Sequence, residues 1–144
     1  MIKAYINLPV KDLNRSCKFF TDIGFTLNPN FMDEKGAAVV IDENIGLMLL
    51  TQPFFSSFTK QGIADTGNQN EVIIALEFDS DDIVDNLADK AVFAGGKAME
   101  TFREENWMYG RRISDLDGHI FEFIHIDMAA MPKSGEEAKE KSLA

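Results

Sequence analysis

The chain spells out one pattern twice. From Ala4 to about residue 52 it reads as strand, helix and three strands. From about residue 71 to Asp127 it reads the same way again. In "AYINLPV" the residues Tyr5, Asn7 and Pro9 alternate with Ile6, Leu8 and Val10, the period of a strand with one buried face. Pro9 places that strand at a sheet edge or at its end. Asp12 can cap a following helix, whose stripe is Leu13, Cys17 and Phe20, widened by Phe19 and Ile23; Gly24 stands where such a helix stops. "FTLN" is a short strand, and "AAVVI" and "IGLMLL" form a hairpin across "DEN".

The second half restarts with the strand "EVIIALEF". The helix "DSDDIVDNLADKAVFAGG" has an acidic first turn, suited to a helix N-terminus, and a glycine pair at its end. Ile83, Leu87 and Ala91 are expected to share its buried face. "KAMETFREENW" is strand or loop, and "MYGRRISD" and "HIFEFIHI" are the last strands, turned by "LDG". Each half predicts a sheet with a helix on one side only. Two such halves can share their open faces and enclose a cavity.

These limits make residues 1–128 one domain: module one at about 4–52, a linker at 53–70, and module two at about 71–127. The linker carries Phe54, Phe55 and Phe58, whose rings need cover, and a short helix is expected there. Residues 129–144 lose periodicity and are expected to be a flexible charged tail.

Charge and composition narrow the function. The 144 residues carry 24 acidic and 14 basic side chains, a net charge of −10. An acidic surface with no Lys/Arg-rich helix disfavours nucleic acid as a partner. "FAGG" closes a helix rather than opening one, so it is no phosphate cradle. No apolar run is long enough for a membrane helix. The N-terminus lacks a basic-then-apolar signal layout, so a cytoplasmic protein is expected. The single cysteine, Cys17, excludes an intramolecular disulfide and reads as a small core residue.

"LPVKDLNRSCKFFTDIGF" (8–25) and "DLDGHIFEFI" (115–124) together resemble the glyoxalase/bleomycin-resistance/extradiol-dioxygenase superfamily, the vicinal oxygen chelate fold. The first resembles its opening strand and helix, the second its closing D-x-D-G hairpin. More narrowly, "NLPVKDL", "MLLT", the phenylalanine-rich linker and "MYGR" resemble a glyoxalase-like subgroup of small bacterial proteins. The resemblance implies an α+β fold, two βαβββ modules forming a curved eight-stranded mixed sheet around a cavity. It also implies a homodimer, and sheet edges needing protection point the same way.

In metal-dependent relatives of this kind, four strand positions ligate a divalent ion. Three of them here are Tyr5, Met48 or Leu49, and Ile73; only the fourth, Glu122, is a carboxylate. No metal and no other cofactor is therefore expected. Strand alternation puts Glu122 with Ile120 and Ile124, and His119 and His125 on the opposite face. Glu122 then acts as a catalytic base, binds a ligand donor, or pairs with Arg111, Arg112 or Tyr5. Tyr5, Asn7, Trp107, Tyr109, Arg111 and Glu122 are the candidate ligand-binding residues: a few polar groups in an apolar, aromatic setting.

The favoured reading is a small-molecule binder without the usual metal, its acidic surface suited to cationic ligands of the bleomycin type. The alternative is a lactoylglutathione lyase-like or extradiol dioxygenase-like enzyme with an atypical or metal-free site using Glu122. A third is an interaction module with no ligand of its own.

Overall fold

The computed structural model describes residues 1–133. Most of the expected tail, 134–144, lies outside the described residues. Module one runs β1 (Ala4–Val10), α1 (Leu13–Ile23), β2 (Thr26–Met32), β3 (Gly36–Asp42) and β4 (Ile45–Thr51). The linker opens with α2 (Gln52–Ser56). Module two runs β5 (Ile73–Glu77), α3 (Asp81–Phe93), β6 (Lys97–Glu104), β7 (Met108–Ser114) and β8 (Ile120–Ile126). The repeated order and the short linker helix are as the sequence predicts.

The strands form two separate four-stranded sheets, ordered β1-β4-β3-β2 and β5-β8-β7-β6. The expected single eight-stranded sheet is therefore corrected to two sheets. In each, the module's first strand lies at an edge, parallel to the last. Pro9 accordingly sits on an edge strand, where a missing N–H costs no internal ladder bond.

The helices begin and end on local chemistry. Asp12 accepts the Arg15 N–H at 3.1 Å and Ser80 accepts the Ile83 N–H at 3.2 Å, so each helix has a side-chain N-cap. Gly24, at φ 124°, closes α1 in a backbone region that suits glycine. On α3 the buried positions are Val84, Ala88 and Ala91. Of the expected stripe only Ala91 is fully buried; Leu87 is half-buried and Ile83 is exposed. The helix is rotated by about one position, which seats two alanines and a valine close to its neighbours.

α1 packs on β2, β3 and β4, α3 packs on β6, β7 and β8, and the two helices touch. One core therefore unites the modules. Phe19 and Phe20 of α1 meet edge-on at 5.1 Å, and Phe20 reaches Phe121 of β8 at 5.7 Å. Leu8, Leu47, Leu49, Val39, Ile113 and Phe123 complete its centre, each 4 % exposed or less. This core covers the helix-facing side of both sheets. Their open faces lie outside it, with Tyr5 61 % and Ile73 52 % exposed. Within one chain the two open faces thus turn outward rather than sharing a cavity.

Candidate functional site

β8 places Glu122 on the open face of module two, opposite Ala75 of β5 and Arg112 of β7. The Arg112 guanidinium donates to Glu122 Oε1 twice, from Nε at 2.8 Å and from Nη2 at 2.5 Å. Its Nη1 donates to Glu100 Oε2 at 2.7 Å, and the guanidinium lies 5.1 Å from the Phe102 ring centre. The hydrogen bonds that Arg112 donates to Glu122 and then to Glu100 raise its pKa above the usual arginine value. Arg112 in turn pulls the Glu100 carboxyl below the ordinary glutamate value. Among the described residues Glu122 Oε2 has no hydrogen-bond partner. Ile73, Ala75 and Glu77 of β5 and Ile120 and Ile124 of β8 share this face by register, so the clamped Glu122 has apolar side chains beside it and a second carboxylate, Glu77, at the end of the row.

Module one's open face is set by β1 against β4. Register pairs Tyr5 with Gly46 and Asn7 with Met48. Of the two residues that the resemblance offers for a second ligand position, Met48 lies on this open face, while Leu49 pairs with Leu8 and is buried on the helix side. A Cβ at Gly46 would lie 3.2 Å from the Tyr5 ring, so the ring rests closely on the glycine backbone. A cavity of about 500 Å³ opens on this face, lined by Tyr5, Asn28, Phe31, Ala38, Val40 and Met48 among others, all from module one.

The positions that the resemblance marks for metal ligands carry Tyr5, Met48, Ile73 and Glu122. Two of these side chains offer an alkyl or thioether group. The one carboxylate already receives two guanidinium N–H bonds. This donor set does not fit a divalent ion.

Tyr109 and Arg111 lie on the other side of β7, against α3. Tyr109 Oη donates to Asp85 Oδ1 at 2.5 Å, Arg111 Nη1 reaches the same oxygen at 3.1 Å, and Arg111 Nη2 reaches Asp89 at 3.0 Å. The Tyr109 hydrogen bond, with the two Arg111 interactions behind it, lowers the Asp85 pKa. Desolvation and the Asp85 charge raise the Tyr109 phenol above its ordinary value. Trp107 joins Tyr109, His125 and Arg103 around a small cavity of about 190 Å³ at the end of module two. The six candidate residues therefore separate into three places: Tyr5 and Asn7, Glu122, and the Trp107–Tyr109–Arg111 group.

Neither histidine shares Glu122's surroundings, as strand alternation predicts. His125 Nδ1 lies 2.8 Å from the Phe78 carbonyl oxygen. His119 is buried, and its Nε2 lies 2.8 Å from the Pro9 carbonyl oxygen. Cys17 is half-buried, and burial pushes its thiol pKa up.

Sequence reasoning passed over Asp115 and Asp117 as turn residues, yet both are buried: Asp115 fixes the turn itself and Asp117 ties it to module one. Asp115 Oδ1 accepts the N–H groups of Asp117 and His119, each at 2.9 Å. Asp117 Oδ1 accepts the Lys11 N–H at 2.9 Å, and its Oδ2 accepts the Ser16 hydroxyl at 3.3 Å. Thr66 of the linker donates to the Asp117 carbonyl at 2.6 Å. The "DLDGH" turn is thus the joint between module two, the β1–α1 corner and the linker. Two acids spaced around a D-x-D-G turn were the available signal.

Residues 4–41 match the family model described as "Bleomycin resistance protein-like N-terminal". No curated protein matches the sequence. A hypothetical protein from S. aureus is similar to this chain in structure, at TM-score 0.74 and 32 % identity, over 87 % of this chain and 95 % of that one. A glyoxalase/bleomycin resistance protein/dioxygenase family enzyme from Burkholderia phytofirmans superposes at TM-score 0.71 with 13 % identity, over 88 % and 100 % of the two chains. A bleomycin-binding protein in complex with bleomycin superposes at TM-score 0.62 with 16 % identity, again over 88 % and 100 %. The repeated βαβββ order, the closing D-x-D-G turn and these likenesses converge: the chain belongs to the glyoxalase/bleomycin-resistance superfamily.

Proposed function

We propose that the protein binds a small organic molecule on its open sheet faces, with no divalent metal at the family's usual ligand positions. The observation that carries this reading is the Arg112–Glu122 pair. A fixed guanidinium holds the one carboxylate those positions retain. Tyr5, Asn7 and Met48 on one module, and Ile73, Phe102 and Glu122 on the other, supply aromatic and aliphatic walls with few polar groups, as small-molecule sites do. Glu122 Oε2 and the Asn7 amide are available to a donor or acceptor on the ligand. The net charge of −10 favours cationic ligands.

The open faces turn outward within one chain, so a closed site calls for a second copy. Module one of one protomer against module two of its partner would bring Tyr5 near Glu122 and cover Ile73. A superfamily fold that also builds a bleomycin-binding protein supports a binder of large, partly cationic organic molecules.

Isothermal titration of metal-depleted protein with metal-free bleomycin, and with smaller aromatic amines, tests the proposal. Saturable binding that Tyr5→Ala and Glu122→Gln weaken supports it. A requirement for a stoichiometric metal that Glu122→Gln abolishes would sink it, as would absence of binding across the set.

A further inference from the structure

The "DLDGH" turn holds a second group of ionisable side chains, apart from the open faces. Asp115, Asp117 and His119 can each bring one ligand-type atom within 4.8 Å of the others. All three are at least nine-tenths buried. Three ligands bonded at about 2.0–2.2 Å to one ion lie about 3.4–3.8 Å apart, so a contraction of about 1 Å would close the set.

One atom in this group is left over. Asp115 Oδ1 accepts two backbone N–H groups, but Asp115 Oδ2 is buried and has no hydrogen-bond partner. A buried carboxylate oxygen without a partner is costly, and native proteins rarely leave one. The histidine is arranged to help. The Pro9 carbonyl can only accept, so Nε2 donates to it, and Nδ1 keeps a free lone pair. A backbone carbonyl orienting one ring nitrogen while the other faces a metal is a common outer-shell arrangement. The Asp117 oxygens each accept one hydrogen bond and retain further lone-pair capacity. A cleft of about 570 Å³ borders Asp115 and Asp117 and provides an entry path.

We propose that Asp115, Asp117 and His119 form a single binding site for a divalent transition-metal ion at the joint between the modules. Mixed carboxylate and imidazole donors select an ion of the Mn²⁺ or Zn²⁺ kind over Ca²⁺. One Asp115–Asp117–His119 set provides donors for a single ion. The ion would join the β7–β8 turn to the β1–α1 corner, because Asp117 and His119 already contact that corner. Its role is to lock the relative position of the modules, independently of any ligand on the open faces.

The chain has only two histidines, which makes the test direct. Tag-free, metal-depleted protein is titrated with Zn²⁺ while both imidazole ¹⁵N signals are followed by NMR. His119 Nδ1 is expected to shift and saturate at one equivalent, with His125 unmoved. The melting temperature is expected to rise by about 5–10 °C at a hundredfold excess over Kd. Asp115→Asn keeps the Oδ1 acceptor but replaces the ligating oxygen by an amide, and should remove both effects. Unmoved His119 signals, shifts that need many equivalents, or an unchanged response in Asp115→Asn overturn the proposal. Should Asp115→Asn not fold, the His119 and His125 signals of the wild-type chain decide alone.

Discussion

Arg112 holds Glu122 by two donors on one oxygen, Nε at 2.8 Å and Nη2 at 2.5 Å, across neighbouring strands β7 and β8. The Arg112 and Glu122 side chains are 26 % and 18 % exposed, so the pair is only partly screened. Removing the arginine alone leaves a half-buried carboxylate without its counter-charge. Arg112→Met should therefore cost about 1–3 kcal/mol by urea denaturation. Arg112→Met/Glu122→Gln together should cost less than the single change, because the uncompensated charge is gone. A double mutant less stable than Arg112→Met would contradict this account of the pair.

Tyr109 and Asp85 join β7 to α3, and their titrations are linked. Asp85 has a lowered folded-state pKa, so its contribution is present above the unfolded value and disappears as pH falls through the folded one. Tyr109→Phe should flatten the acid limb of stability below about pH 4, the ordinary aspartate range. Its cost near neutral pH should be about 1 kcal/mol or less, since Asp85 is 45 % exposed and solvent screens it. Spectrophotometric titration supplies a second reading. The Tyr109 phenol should ionise above its ordinary value in the wild type and fall back in Asp85→Asn.

Asp117 joins the modules through the Lys11 backbone N–H and the Ser16 hydroxyl. Asp117→Ala leaves two donors near the joint without their acceptor, for an expected loss of about 2–4 kcal/mol. Ser16→Ala removes one neutral donor and should cost about 1 kcal/mol. Equal effects for the two substitutions, measured by chemical denaturation, would show that Asp117 does not hold the joint.

Gly118 tests the same turn from its backbone. Its φ is 89°, and a Cβ there would stand 2.3 Å from the Thr66 carbonyl oxygen. Strain and collision act together, so Gly118→Ala should lose more than about 2 kcal/mol. Gly62, where an added Cβ meets nothing, is the control and should tolerate alanine within about 0.5 kcal/mol.

The elements were legible because each announces itself locally. Asp12 and Gly24 bracket α1, and the alternation of Tyr5, Asn7 and Pro9 with Leu8 and Val10 orients β1. The separation of Glu122 from the histidines was legible for the same reason, since a strand alternates. What spans elements was not. In sequence Tyr109 and Arg111 look like cavity groups, because nothing local says that Asp85 and Asp89 wait on α3, more than twenty residues away. The α3 face was misjudged by one position because Ile83, Leu87 and Ala91 and the neighbouring set Val84, Ala88 and Ala91 are both helical stripes. Only the proximity of β7 and β8 decides between them. The two-sheet arrangement and the α1–α3 contact that joins the modules are long-range facts absent from any window.

The outward position of Tyr5 and Ile73 carries the last prediction. Both stand on open faces, 61 % and 52 % exposed, with Val72 at 55 % beside Ile73. Exposed apolar patches of this kind on edge strands mark association surfaces or aggregation hazards. If one copy's module one covers another's module two, light scattering should give twice the monomer mass of 16.1 kDa. Ile73→Asp places a charge in the centre of that contact and should shift the equilibrium toward monomer by at least about tenfold. Ligand affinity should fall in step, because Tyr5 and Glu122 then no longer share a site. A monomeric wild type that still binds its ligand would place the site on one open face alone, with the 500 Å³ cavity of module one as its seat.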